Sequence, residues 1–201
     1  MATREILRDE ERELFKKSRV VTDFNKRLHI LLDDMRETLI EANGLGLAAP
    51  QVGILRRAVL IVDQKINEPT ENIDVDDDIE EEMDEEQYKE WFNEQIIELV
   101  NPEIIKREGE QTGSEGCLSI PGVYGIVTRP ETVVVRAQNR HGKTFELELN
   151  EIAARAACHE IDHLDGVLFT SLAERLLTEE ELAEMRAQYM ENKEQETENK
   201  E

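Results

Sequence analysis

Cysteine is scarce. The chain of 201 residues has two, Cys117 and Cys158, which cannot make a disulfide framework. In a reducing compartment such thiols serve as ligands, nucleophiles or core filler. Long apolar runs are also missing. No stretch of about eighteen apolar residues occurs, so no membrane span is expected. The N-terminus, Met-Ala-Thr-Arg-Glu-Ile-Leu-Arg-Asp-Glu, lacks the apolar region of a secretory leader and is too acidic for a transit peptide. The chain is therefore read as cytoplasmic. Basic residues are few: 24 lysines and arginines face 47 aspartates and glutamates, a formal charge of −23. That balance argues against direct binding of nucleic acid through a basic face. There is no internal repeat.

What is present suits one core. Hydrophobic residues make up 39% of the chain, and the length fits one domain. A single domain is expected over residues 1–190, with a polar, disordered tail at 191–201. Charge is uneven. Between Glu71 and Glu90 twelve carboxylates stand against Lys89 alone. The segment at about 67–90 reads as a solvated, mobile acidic insertion rather than a folded element. It lacks the pattern of a calcium-binding EF-hand. Trp91 and Phe92 are placed to pin its far end to the body.

Taken in order, residues 4–19 read as loop with one helical turn. Thr22 is a plausible N-cap for a helix in which Phe24, Leu28, Leu31, Leu32, Met35, Leu39 and Ile40 recur at spacings of three and four. Asn43-Gly44 ends it. His29, within this helix, and His141, in a later turn, read as residues without a role. The string Gly44-Leu45-Gly46-Leu47-Ala48-Ala49-Pro50-Gln51-Val52-Gly53 lets the backbone approach something closely. It has neither the Gly-Lys-Ser/Thr ending nor the dinucleotide glycine pattern, and spacing alone leaves it undecided between a binding loop and an ordinary tight one. Residues 57–63 are a strand. Residues 96–100 and 103–108 read as strand pieces broken by Asn101-Pro102. In Ser114-Glu115-Gly116-Cys117-Leu118-Ser119 a glycine precedes the thiol, which suits presentation rather than burial. Residues 131–138 and 143–149 form a hairpin around Asn139–Gly142. Thr178-Glu179-Glu180-Glu181 is a capping box that opens a last helix running to about Tyr189.

The most informative stretch is Ala156-Ala157-Cys158-His159-Glu160-Ile161-Asp162-His163-Leu164-Asp165-Gly166. On a helix, His159 and His163 stack on one face, within reach of one ion. Glu160 is placed to take a proton from a water on that ion. Asn150 as N-cap, Glu151 in the first turn and Gly166 at the end support a helix over 151–165. It is apolar nearly all round, as a buried helix is. Two histidines four apart also arise by chance, so a third ligand has to come from elsewhere. The expected fold is α+β, with mostly antiparallel strands wrapped about this helix and the C-terminal helix packed outside.

The strings at 44–53, 115–119 and 159–166, in this order, resemble the three signature motifs of the peptide deformylases, and the resemblance spans about residues 4–190. It implies a catalytic metal held by Cys117, His159 and His163, with the fourth tetrahedral position open for water. Fe(II) is the metal implied, and Zn, Ni or Co also suit one thiolate and two imidazoles. It implies removal of the N-formyl group from the first methionine of nascent polypeptides. Glu160 would accept the water's proton and pass it to the leaving amine. The Gln51 amide and the Leu118 backbone N–H would donate to the oxyanion. Leu45 and Gly46 would pair with the substrate main chain, and the methionine side chain would lie against Leu45, Ile152 and Ala156. Glu115 and Arg129 would form an ion pair steadying the cysteine loop. The ribosome near its exit site is a further candidate partner.

Three departures from the resemblance stand out. Arg155 sits where many relatives carry an apolar residue: either its head reaches water or it alters the pocket rim. Glu10–Glu13 replaces a proline-containing stretch, and the acidic insertion is extra. Cys158, in place of a common glutamine, points away from His159 and reads as core filler. Asp162 either orients a ligand histidine or simply pairs with backbone or an arginine. Two rival functions remain. A zinc peptidase shares HExxH but takes a third ligand downstream, and no histidine follows His163. A non-catalytic binding protein on the same fold would have lost Glu160 or a ligand, and all are present.

Overall fold

The computed structural model describes residues 2–63, 84–184 and 187. Helix α1 (Lys26–Ala42) precedes two short strands, β1 (Gly46–Ala48) and β2 (Ala58–Val62). Helix α2 (Glu85–Glu94) follows. Then come β3 (Ile96–Glu108), β4 (Gln111–Cys117), β5 (Ile120–Arg129), β6 (Thr132–Gln138) and β7 (Thr144–Asn150). Helix α3 (Glu151–Leu164) and β8 (Arg175–Leu176) complete the order. A last helix begins at 179. The strands form a five-stranded sheet, β1-β2-β3-β6-β7, and a three-stranded one, β4-β5-β8. All these pairings are antiparallel. The α+β expectation holds.

The larger sheet is covered on both faces, and β2 shows how. Alternate side chains point to opposite faces. Ala58, Leu60 and Val62 meet Leu28, Leu32, Met35 and Leu39 of α1. Val59 and Ile61 lie with Leu99, Val133, Val135 and Leu149 in the layer packed by Ala153, Ala154, Ala157 and Ile161 of α3. Every residue of β2 is buried, which is why its sequence is continuously apolar. The alanines of α3 let the helix lie close to the sheet. A third cluster, Leu14, Ile120, Val127, Leu168 and Phe169, joins the smaller sheet to the N-terminal segment.

Three expectations are corrected. The N-cap of α1 is Asn25, not Thr22: its side chain accepts from the N–H groups of Arg27 and Leu28. Asn43 closes the helix in the left-handed region, as expected. Residues 96–108 are one strand, not two pieces. Register shifts between Val100 and Glu103 and between Ile104 and Lys106 absorb Asn101-Pro102 as a bulge. Finally, the acidic segment does not stay loop to residue 90. Asp84 caps α2 by accepting from Glu86 and Gln87, and Gln87 reaches back to the Asp84 N–H. Tyr88, Trp91 and Phe92, at i, i+3 and i+4, then pack on the α1 layer. The rest of the proposed insertion, the tail at 191–201 and most of the last helix beyond 184 lie outside the described residues. The capping box is present: the N–H of Glu181 donates to Thr178 Oγ1, and that of Thr178 to Glu181 Oε2.

Asn101 ties the N-terminal segment to the sheet. Its backbone is left-handed, φ 52°. Its side chain accepts from the Val21 N–H at 2.8 Å and donates to the Val21 carbonyl at 2.9 Å and to Gln138 Oε1 at 2.8 Å. Asn101→Ala loses this tie and strains the backbone, so it is expected to cost about 2 kcal/mol in urea unfolding. Asn101→Gly, free of the strain, should cost measurably less. Equal losses would show that the backbone conformation contributes nothing.

Candidate metal centre

Helix α3 presents both imidazoles and the carboxylate between them. His159, Glu160 and His163 are all buried. The third donor comes from β4. A register shift between Gly116 and Cys117 turns the end of that strand before the Leu118-Ser119 turn into β5, and so re-aims the thiol. The ligand atoms of Cys117, His159 and His163 lie within 4.8 Å of one another. Cys117 Sγ is 3.3 Å from His163 Nε2. Sulfur and nitrogen sharing one tetrahedral ion would stand about 3.6 Å apart, from bond lengths of ~2.3 and ~2.1 Å. The donors fit a single first-row ion.

The surroundings orient the rings. His159 Nδ1 lies 3.1 Å from Glu115 Oε2. With the proton on Nδ1, donated to that carboxylate, Nε2 keeps its lone pair for an ion. Phe169 stacks on the same ring, centroids 5.9 Å apart. His163 Nδ1 and Glu160 Oε2 are buried with no hydrogen-bond partner among the described residues. Burial weighs against charge on His159, but Cys117 and Glu115 raise its pKa to about 10. Burial, with His159 beside it, holds His163 well below its ordinary value.

Glu160 is the second feature. Burial pushes its carboxyl up to about 7. It packs directly on β1: a Cβ at Gly46 would fall 2.6 Å from Glu160 Cγ and Oε1. The glycine string is thus a close approach between backbone and carboxylate. Gln51 Oε1 accepts from the Ala48 N–H at 2.7 Å, which turns Nε2 towards Cys117 Sγ at 3.5 Å and Ser119 Oγ at 3.3 Å.

Strands β1 and β4 both lie at the edge of their sheets, and between them opens a cleft of about 680 Å³. Leu45, Gly46, Leu118, Ile152 and Ala156 line it together with Cys117, His159 and Glu160. Leu45 and Ile152 are exposed at its mouth. Of the predicted site residues, Gln51, His163 and Arg129 do not line the cleft, and the others do. Gln51 stands behind the cysteine. Cys158 is buried in the α3 layer, its thiol pushed up to about 11 by burial, and is core filler as expected.

Glu115 is more than a loop brace. It accepts from Arg129 Nε at 2.8 Å and Nη2 at 3.0 Å, from Arg155 Nη1 at 2.9 Å, and faces His159 Nδ1. On an unbroken strand residues 115 and 117 would share a face, a signal that could have linked Glu115 to the ligands in advance. Arg155 does not send its head to water. Asp162 pairs with Arg129 Nη1 at 2.6 Å rather than with a histidine, the plainer of its two readings. Ser119, the partner of Gln51, carries no sequence signal.

Fold and site together define an antiparallel α+β protein with a buried three-donor metal centre of one sulfur and two nitrogens. The family model described as polypeptide deformylase matches residues 3–178. A peptide deformylase of Caldicellulosiruptor bescii is 48% identical over 187 residues, 93% of this chain and 95% of that protein. The peptide deformylase structure from Thermotoga maritima superposes with a TM-score of 0.70 at 30% identity, covering 87% of this chain and 100% of that one. A Met-Ala-Ser-bound class I type b peptide deformylase of Acinetobacter baumannii gives 0.67 at 28%, covering 85% of this chain and 98% of that one. The chain belongs to the polypeptide deformylase family.

Burial works to raise the Glu115 pKa, but hydrogen bonds from His159 and Arg129 bring it from 4.5 down to about 2. A depressed carboxylate stabilises the fold above its unfolded value, and the effect is lost as pH falls through the folded one. Glu115→Gln is therefore expected to cost on the order of 3 kcal/mol at pH 7, with the gap to the wild type closing between about pH 4.5 and 2. Urea unfolding at several pH values measures it. A gap that does not change with pH would mean the carboxylate is not held ionised.

Proposed function

We propose that the protein hydrolyses the N-formyl group from the first methionine of newly made polypeptides and releases formate. The observation that carries this is the convergence of Cys117, His159 and His163 beside the buried Glu160, in a cleft between two sheet edges. Cys117, His159 and His163 would hold one divalent ion, which when bound supplies Lewis-acid polarisation and lowers the pKa of a water from about 15.7 towards about 7. Fe(II) is the metal proposed, on the family resemblance; the donor set itself, a thiolate with two imidazoles, suits Zn, Ni and Co as well.

Glu160 takes the proton of the attacking water and returns it to the amine nitrogen as the C–N bond breaks. Its raised pKa suits a group that must both accept and give a proton near neutrality. Water supplies the oxygen that leaves in formate, and the peptide leaves as the free methionyl amine. Gln51 Nε2 and the Leu118 N–H are assigned to the developing oxyanion, where each such donor is worth ~3–4 kcal/mol. The substrate main chain adds along β1 at Leu45 and Gly46. The Met-Ala-Ser complex of the Acinetobacter relative supports a peptide occupant. The methionine side chain packs against Leu45, Ile152 and Ala156. Residues 1–190 act as one domain. The cytoplasm is the proposed compartment, and the ribosome near its exit site the place where substrate emerges. The peptidase reading has nothing in its favour: the donor set is closed by Cys117 from β4, not by a downstream residue.

Two substitutions test the roles. Glu160→Ala is expected to keep its metal and to lose about 10²–10⁴-fold in turnover, read as formate release from formyl-Met peptides alongside metal analysis. Turnover within a few-fold of the wild type would remove Glu160 from the chemistry. Gly46→Ala leaves no space for the carboxylate, so formate release should fall at least about tenfold with the circular-dichroism spectrum unchanged. Normal activity would mean that Glu160 does not need its contact with β1.

A further inference from the structure

Arg155 lies one turn before His159 on α3, and its side chain is largely buried. Its guanidinium is shared among four acceptors on the smaller sheet. Nη1 donates to Glu115 Oε1 at 2.9 Å, to the Val127 carbonyl at 3.1 Å and to the Gly113 carbonyl at 3.5 Å. Nη2 donates to the Gln111 carbonyl at 3.1 Å. Gly113 and Val127 are paired across β4 and β5, so one side chain grips both strands of the hairpin. The strand is shaped to receive it: a Cβ at Gly113 would stand 3.3 Å from Nη2. Among the four acceptors is the same carboxylate that His159 faces.

The centre is assembled from two pieces, Cys117 on β4 and the histidines on α3. Few groups fix the distance between them. Arg129 binds Glu115 and Asp162, one on each piece. His159 Nδ1 faces Glu115, and Gln111 Nε2 donates to the Glu151 carbonyl at the start of the helix. Arg155 is a further link, rooted in the helix and reaching the strand within a few residues of the thiol. Two guanidiniums also balance two carboxylates, Glu115 and Asp162. Losing one would leave Glu115 with less to hold it against His159.

We propose that Arg155 is a positioning residue: its guanidinium clasps the strand that carries Cys117 to the helix that carries His159 and His163, and so sets how tightly the centre keeps its ion. The assignment rests on the metal-hydrolase reading above.

Arg155→Met keeps the stem and removes the clasp. Groups that orient ligands from outside the donor set are worth roughly 10–100-fold in metal affinity. In the cobalt-substituted full-length protein, Arg155→Met should lose cobalt to a chelator at least about tenfold faster than the wild type. Its thiolate-to-cobalt absorption should shift, and kcat should fall while KM stays within about twofold. Arg155→Lys should recover part of each. Arg140→Met, which breaks the ion cluster of Arg140 with Glu98 and Asp33 away from the centre, controls for general loosening. If Arg155→Met does not fold, Arg155→Gln is read in its place. Cobalt loss at the wild-type rate, or equal acceleration in Arg140→Met, would overturn the role of Arg155 and leave the deformylase reading standing. A wild type that takes up no cobalt and releases no formate would sink both.

Discussion

The structure turns on a carboxylate that cannot be in water. Glu115 is 5% exposed, and an ion so placed is costly unless every lone pair is satisfied. Arg129, Arg155 and His159 satisfy it from three directions. The partners sit on two elements: Arg129 on β5, and Arg155 and His159 on successive turns of α3. The charge can therefore be buried only when hairpin and helix are docked in one geometry. That geometry also brings the Cys117 sulfur to the histidines. Burying the charge and building the centre are one event, and the polar cluster acts for specificity of arrangement more than for net stability.

The apolar layers leave the opening where the chemistry needs it. A sheet covered by α1 on one face and α3 on the other has only its edges free. One edge of the larger sheet is β1, and β4 is an edge of the smaller. An exposed strand edge invites another chain, and here the two edges face the cleft that Glu160 floors. Gly46 matters for the same reason. With no Cβ, the edge backbone and the Glu160 carboxylate come into contact, so a chain added to this edge lies beside the proton carrier.

What the sequence disclosed was mostly local. The histidine pair, the β6–β7 hairpin and the end of α1 at Asn43 follow from spacing and from residues with a marked conformational preference. Two of the three separated strings carried the donor set, Cys117 in one and His159 and His163 in the other, through their resemblance to the family's motifs. The failures were of two kinds. Dense charge masked the start of α2, since twelve carboxylates between Glu71 and Glu90 look like solvated chain until Tyr88, Trp91 and Phe92 are read as one helical face. Asn101-Pro102 looks like a break, and only the pairing with β6 shows that a bulge absorbs it. The roles of Glu115 towards His159 and of Arg155 towards Glu115 join residues 44 and 40 apart. No local period encodes such a contact, and from the chain alone a long arginine beside a pocket is as easily drawn pointing outward.

Charge balance accounts for the kind of ion such a centre suits. The chain carries −23, but at physiological salt the field of surface carboxylates fades over about 8 Å and acts little on a buried site. What counts is the set of charges buried together. Glu115 and Asp162 are offset by Arg129 and Arg155. That leaves a Cys117 thiolate and, once ionised, Glu160. A dication would answer both charges with the two imidazoles neutral. A monovalent ion would leave a buried negative charge without a counter-charge, and a trivalent one would leave an excess positive charge. When Glu160 takes the proton of the water, a hydroxide is left, so the charge of the site is unchanged: one negative charge passes from the carboxylate to the oxygen that would face the amide of Gln51. The residues that would balance the ion at rest are the same ones that would pass the charge on during the reaction.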